Sequence, residues 1–166
     1  MLVIENGVYG ERISKLCDVY NFHYHTIKLD WGIPPDLKDI ENKLKTQNDI
    51  EVVSLVHHET TTGLLNPLQS VGELAKKYGK IFLVDCISSI AGDETDFNFI
   101  DLAVGTANKC LQGVPGVSFV IFHKRDLARL LKIPARNLYF NLTEYHKAQE
   151  AGGLLFTPAI PAHYAL

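Results

Sequence analysis

Short apolar runs rich in β-branched residues alternate with segments of helical periodicity, and this alternation limits the possible folds most strongly. The runs are MLVI, YHTIKLD, EVVSLVH, KIFLVDC, DLAVGT and VSFVIFH; the helical segments are YGERISKLCDVYN, PDLKDIENKLKTQ and LQSVGELAKKYG. Strands joined through helices pair in parallel, because each crossover returns the chain to the same end of the sheet. The pattern therefore predicts an α/β fold, a mostly parallel sheet with helices on both faces.

The end of the chain departs from this alternation. Only about a dozen residues without a helical period join DLAVGT to VSFVIFH, so we expect the last strand to be antiparallel. KRDLARLLK predicts a short helix that ends at Pro134. The segment after it has no clear period and predicts no regular element.

Composition excludes several classes of protein. A length of 166 residues suits one domain, and 46% hydrophobic with 21% charged residues is typical of a globular chain. The net charge of −3, with mixed signs, argues against nucleic-acid binding. No window approaches the roughly 20 apolar residues of a membrane span, so we expect a cytoplasmic protein. Cys17, Cys86 and Cys110 are odd in number and widely spaced, which predicts free thiols and no zinc site.

Three strands end in polar loops: VHHETTTG (56–63), LVDCISS (83–89) and GTANKC (105–110). The carboxyl ends of parallel strands meet at one edge of a sheet, where ligands bind in open α/β folds. No GxGxxG or GxxxxGK[ST] motif is present, and Thr62 stands where HExxH requires a second histidine. His57 and His58 are adjacent and point to opposite faces, so we predict no metal site there.

Lys109 and Asp85 are the charged groups in these loops with the clearest chemistry. Desolvation lowers the pKa of a lysine, and the neutral amine then forms an imine with a carbonyl. Asp85 follows the apolar run KIFLV; a protonated pyridine nitrogen at about 4 Å would stabilise it by about 4 kcal/mol at an effective dielectric near 20. Spacing alone also allows Asp85 to cap the turn formed by CISS, and it favours a solvated loop lysine for Lys109.

Three ordered blocks, HHETTTG, VDCISSIAG and TANKCLQGVPG, resemble the class V, fold-type I aminotransferases that use pyridoxal 5'-phosphate (PLP). The resemblance extends over essentially the whole chain. Its third block is similar to the branch that transfers an amino group from 2-aminoethylphosphonate to pyruvate, whereas alanine:glyoxylate members carry Gln before the lysine. The resemblance thus implies transamination of these small-molecule substrates to phosphonoacetaldehyde and alanine.

The same blocks imply roles for particular residues. By resemblance, Lys109 is the lysine that bonds PLP and moves the proton, and Asp85 pairs with the pyridine nitrogen. Thr60 matches the hydroxyl residue that hydrogen-bonds the cofactor.

The resemblance also implies roles for three further residues, and each of them has a structural alternative. Tyr9 matches an aromatic residue that stacks on the pyridine ring, and packing in the core remains open for it. Asn108 matches a residue next to the cofactor, although it could bond only its own loop. Thr157 resembles a threonine that reaches the cofactor phosphate of the neighbouring subunit, which implies a homodimer; a turn cap before Pro158 remains open.

Members of the resembled family are longer at both ends. They carry an upstream loop that binds the PLP phosphate and a downstream small domain whose arginine binds the substrate carboxylate. We therefore expect residues 1–166 to form a single domain, the central part of a large PLP-binding domain, without those two parts. Another class V activity, of alanine:glyoxylate or serine:pyruvate type, and a non-catalytic fragment stay open. A cysteine desulfurase is disfavoured, because those enzymes place His where Asn108 stands.

Overall fold

The helices and strands follow the sequence pattern closely. The computed structural model describes residues 1–166. Its strands are β1 (Leu2–Glu5), β2 (His25–Lys28), β3 (Val52–Val56), β4 (His58–Glu59), β5 (Leu64–Leu65), β6 (Ile81–Asp85), β7 (Leu102–Thr106) and β8 (Ser118–Phe122). Its helices are α1 (Val8–Val19), α2 (Leu37–Thr46), α3 (Leu68–Lys77), α4 (Leu127–Leu130), α5 (Leu142–Glu150) and α6 (Ile160–Tyr164), with a 3-10 turn at Lys124–Asp126.

The main sheet has the strand order β2-β1-β3-β6-β7-β8. Its first five strands are parallel, while β8 pairs antiparallel with β7, as the short connection predicts. β4 and β5 form a separate hairpin. The chain runs from β1 outward to β2 and then returns past β1 to β3, so the direction of winding reverses between β1 and β3. Such a switch point is where open α/β sheets bind ligands.

Helices cover both faces of the sheet. Right-handed crossovers place α1, which leads outward to β2, on one face, and α2 and α3, which lead the other way, on the opposite face. α2 and α3 pack against each other. Ile40 and Leu44 lie one helical turn apart and are buried, as are Val71 and Ala75 in α3. The expected α/β architecture is confirmed.

The core lies between the central strands and these helices. All four residues of β1 are buried, and Leu55 of β3 and Phe82 of β6 are inaccessible to solvent. Cys17 and Cys86 are buried in free form, and burial raises the pKa of the Cys86 thiol to about 12. The longest helix, α1, has 12 residues, and none of the helices has the length and apolarity of a membrane span.

The C-terminal segment contains two helices that the sequence did not reveal. α5 buries none of its residues, so it has no apolar face from which a period could be read. Its start is set by Asn141, whose side chain accepts a hydrogen bond from the Glu144 N–H at 3.4 Å. α6 is short and packs through Ala162, since a Cβ placed on Gly116 would lie 3.1 Å from the Ala162 Cβ.

Candidate functional site

One backbone oxygen, that of Ser88, joins the three polar loops. The Nδ1 atom of His58 lies 3.2 Å from it, and the Cys110 thiol donates to it at 3.4 Å. His58 belongs to HHETTTG, Ser88 follows Asp85 by three residues, and Cys110 adjoins Lys109. The loops that the sequence predicted to converge are therefore in direct contact at the carboxyl edge of the sheet.

Asp85 is the last residue of β6, and its two carboxylate oxygens differ in their hydrogen bonding. Oδ1 accepts the Ile87 N–H at 2.9 Å, so the turn cap that spacing allowed does form. No protein group donates to Oδ2, and no cationic side chain lies within ion-pair distance. Burial raises the pKa of the Asp85 carboxyl above its usual range; the Ile87 N–H and the Arg12 charge lower it, and the Glu59 charge raises it further. One oxygen thus remains available to a cationic partner.

Lys109, Asn108 and Thr60 lie on the outside of this edge. All three are exposed, and neither the Lys109 amine nor the Thr60 hydroxyl bonds to another protein group. The chain alone therefore leaves the Lys109 amine solvated. Asn108 accepts a hydrogen bond from the Thr106 hydroxyl at 2.8 Å, so it does bond its own loop, and its amide N–H bonds have no protein acceptor.

Tyr9 lies in the first turn of α1, at the switch point. Its half-buried ring carries the Arg12 guanidinium 4.8 Å from the ring centre, so it is not plain core packing. The Tyr9 N–H donates to Oε2 of Glu59 at 3.0 Å, and the Gly10 N–H donates to the same oxygen at 3.2 Å. The loop after β3 thereby holds the start of α1.

Glu59 is a site residue that sequence reasoning missed. Its side chain is wholly buried, and its Oε1 accepts the Thr61 hydroxyl at 2.5 Å. α1 has no capping side chain of its own, so Glu59 supplies the acceptors for its first N–H groups. The sequence did place this carboxylate next to Thr60 in the HHETTTG motif. Only the fold shows that the Glu59 side chain faces the start of α1.

Thr157 forms no hydrogen bond with any of the other five predicted residues. It is exposed in the segment between α5 and α6, and its side chain makes no hydrogen bond. The neighbouring Ala159 lies near the loop that follows Lys109, because a Cβ on Gly116 would be 3.5 Å from the Ala159 Cβ. Its expected role toward a neighbouring subunit therefore remains a prediction.

The available groups at this edge match the chemistry of PLP. A free carboxylate oxygen on Asp85 suits a protonated pyridine nitrogen, a free amine on Lys109 suits a carbonyl, and a free hydroxyl on Thr60 suits an oxygen acceptor. An open, mostly parallel sheet with this set of groups along its carboxyl edge fits a PLP-binding α/β protein of fold type I.

The chain belongs to the class V aminotransferase family. Its sequence matches the family described as aminotransferase class-V over residues 9–166. Membership implies PLP as the cofactor.

Relatives of this chain include aminoethylphosphonate transaminases. The chain is 47% identical over 132 residues to a bifunctional phosphonoacetaldehyde hydrolase/aminoethylphosphonate transaminase of Clostridioides difficile strain 630, covering 78% of this chain and 21% of that protein. It is 35% identical over 165 residues to a 2-aminoethylphosphonate–pyruvate transaminase of Vibrio vulnificus strain CMCP6, covering 98% of this chain and 45% of that one. The chain thus spans less than half the length of either relative.

A solved structure confirms the fold. The crystal structure of an alanine–glyoxylate aminotransferase from Nostoc sp. superposes with a TM-score of 0.90 at 28% identity, covering 99% of this chain and 45% of that chain. The arrangement of strands and helices around the predicted site is therefore that of a fold-type I aminotransferase.

Replacing Asp85 with Asn keeps the acceptor for Ile87 and removes the charge. The pKa of Asp85 is higher in the folded chain than its usual value of 3.8. The fold therefore loses stability as pH rises from 3.8 through the folded-state pKa, and below pH 3.8 nothing is lost because the carboxyl is neutral in both states. We expect D85N to have a higher melting temperature than the wild type at pH 7 without PLP, with no difference below about pH 4. PLP affinity should fall more than tenfold, or about 1.4 kcal/mol.

Asp96 provides the matched control for D85N. Its Oδ1 accepts the Asn98 N–H at 2.8 Å in the same kind of turn, and the residue belongs to none of the three loops. D96N should leave PLP affinity unchanged. Equal PLP affinity in D85N and D96N would contradict the assigned role of Asp85.

Replacing Glu59 with Gln tests the support of α1. The amide puts an N–H₂ group in place of one acceptor oxygen and removes the negative charge from the helix N-terminus, so we expect the free energy of unfolding to fall by about 1–3 kcal/mol. Urea denaturation measures the change. The exposed Glu73 gives the control, because E73Q should change stability by less than about 0.5 kcal/mol; matching losses in the two variants would refute the support by Glu59.

Proposed function

We propose that this chain supplies the cofactor-bonding part of a transaminase that moves the amino group of 2-aminoethylphosphonate to pyruvate, giving phosphonoacetaldehyde and alanine. The observation that carries the proposal is the position of the Asn108-Lys109-Cys110 loop. Cys110 and His58 share the Ser88 oxygen, so the lysine, the Asp85 loop and the Thr60 loop form one connected unit.

Each residue contributes a defined interaction in this proposal. When bound, PLP supplies a carbonyl that accepts the amino group and a ring that takes up the electron pair released at the donor carbon. Asp85 Oδ2 holds the proton on the pyridine nitrogen through its negative charge. Lys109 Nζ bonds the cofactor and moves the proton at the carbon that carries the amino group. Tyr9 orients the ring, while Thr60 and Asn108 supply hydrogen bonds.

The identity of the residue before the lysine favours the phosphonate substrate. Asn108 precedes Lys109, as in the phosphonate branch that the motif resembles, and the two relatives described above carry aminoethylphosphonate transaminase names. A second candidate is alanine:glyoxylate transamination, which the TM-score of 0.90 to the Nostoc enzyme supports.

The bond to the cofactor is tested with the purified chain. After addition of PLP and reduction with sodium borohydride, we expect one cofactor adduct per chain, on the peptide that contains Lys109. K109R should carry none, and K132R, which changes another exposed lysine, should carry the wild-type adduct. An unmodified Lys109 in a folded sample would contradict the proposal and support a non-catalytic fragment.

Substrate choice is tested with the same preparation. Alanine should form from 2-aminoethylphosphonate and pyruvate in the wild type and fall at least 100-fold in K109R, the order of magnitude expected for loss of a proton-transfer group. Faster conversion of alanine with glyoxylate would favour the second candidate. If the PLP adduct forms but neither substrate pair is converted, the proposed PLP binding stands and the proposed transaminase activity of this chain is refuted.

We also propose that the active form is a homodimer. Large apolar side chains of the C-terminal segment are exposed, including Leu138, Phe140, Leu154 and Tyr164, whose exposures range from 69% to 89%. Monomeric proteins seldom leave such patches uncovered. Light scattering should give twice the chain mass of 18.6 kDa, and L138E should shift the mass toward the monomer; a wild-type monomer would refute the proposal.

A further inference from the structure

A second polar cluster lies at the opposite edge of the sheet. His25 begins β2, His23 precedes it by two residues, and Asp49 lies just before β3. Because these strands are parallel, their amino ends face away from the edge that carries Asp85 and Lys109. The cluster is therefore separate from the proposed PLP site.

The three side chains converge on one point. The Nε2 atom of His23 lies 2.8 Å from Oδ2 of Asp49, and the Nε2 atom of His25 lies 3.0 Å from the same oxygen. One ligand atom from each residue lies within 4.8 Å of the other two. A tetrahedral Zn²⁺ site with ligands at about 2.0–2.2 Å has neighbouring ligand atoms about 3.3 Å apart, so small side-chain shifts would complete such a site.

Local backbone structure fixes this convergence. His23 and His25 are separated by one residue, and their rings lie on the same side with centroids 5.2 Å apart. The intervening Tyr24 bonds elsewhere, its hydroxyl donating to Asp18 at 2.8 Å. The His25 N–H donates to the Met1 carbonyl at 2.8 Å, and Ile50, next to Asp49, is fully buried. Both sides of the cluster are thus anchored by the fold.

Exposure and charge suit an ion that enters from solvent. The His25 side chain is 21% exposed, that of Asp49 45% and that of His23 75%, which leaves an open side for a water ligand. The Asp49 carboxylate supplies negative charge to balance that of the ion. Two imidazoles with one carboxylate favour Zn²⁺, Ni²⁺ or Cu²⁺ over Mg²⁺ and Ca²⁺.

We propose that His23, His25 and Asp49 form a three-ligand site for a divalent transition-metal ion, with water in the remaining position. The ion joins edge strand β2 to the connection between α2 and β3. Because it binds the folded chain, it stabilises the fold, and above the dissociation constant the stabilisation grows with the logarithm of the ion concentration.

The test uses the full chain without PLP and Zn²⁺ as the probe, with Mg²⁺ for comparison. Calorimetric titration should show one Zn²⁺ per chain, and melting temperature should rise with Zn²⁺ and not with Mg²⁺. H25A and D49N should bind Zn²⁺ at least tenfold more weakly. H163A, which removes an exposed histidine of α6, should bind as the wild type does.

Two results would overturn the proposal. Equal Zn²⁺ affinity in the wild type, D49N and H25A would place any bound ion elsewhere, and absence of Zn²⁺ binding to the wild type would remove the site. H23A replaces H25A if the latter does not fold, because His23 is the most exposed ligand. PLP attachment to Lys109 should be the same in D49N and the wild type, so this site and the proposed function can fail separately.

Discussion

The buried carboxylate of Glu59 is the interaction on which the rest of the candidate site depends. Its two oxygens bond the first turn of α1 and the Thr61 hydroxyl, so the chain segments after β1 and β3 are joined at the switch point. Burying an anion is costly unless it is fully bonded, and the positive end of the α1 dipole helps to offset that cost. Gly7 is part of the arrangement, because a Cβ there would lie 2.2 Å from Cγ of Glu59.

The groups that we assign to the cofactor differ from Glu59 because each keeps a polar atom without a hydrogen-bond partner in the protein. Asp85 uses one oxygen for its turn and keeps the other unbonded, so the observed turn cap and the proposed contact with the cofactor are compatible in the same side chain. A partly buried carboxylate without a cation lowers the stability of the isolated fold. Sites that bind charged ligands commonly accept such a loss, because the missing charge arrives with the ligand.

The sequence predicted the sheet and its helices because both depend on local apolar periodicity. It also predicted which loops meet, since the carboxyl ends of parallel strands share an edge. It missed α5, which has no buried face, and α6, which is short. Glu59 and the His23–His25–Asp49 cluster were missed for a different reason. Their partners are distant in the chain, and only the three-dimensional packing brings them together.

Asn108 is the residue of the lysine loop on which the proposed choice of substrate rests. Its oxygen is engaged by the Thr106 hydroxyl, which leaves the amide N–H bonds free for an oxygen of a bound ligand. The alanine:glyoxylate members of the resembled family carry Gln at this position, one methylene longer. An amide held in place by its own loop loses less conformational freedom on bonding a ligand than a mobile amide does. The bond of Asn108 to its own loop is therefore compatible with the role proposed for it, because the amide N–H bonds stay free for oxygen acceptors such as those of the proposed phosphonate substrate.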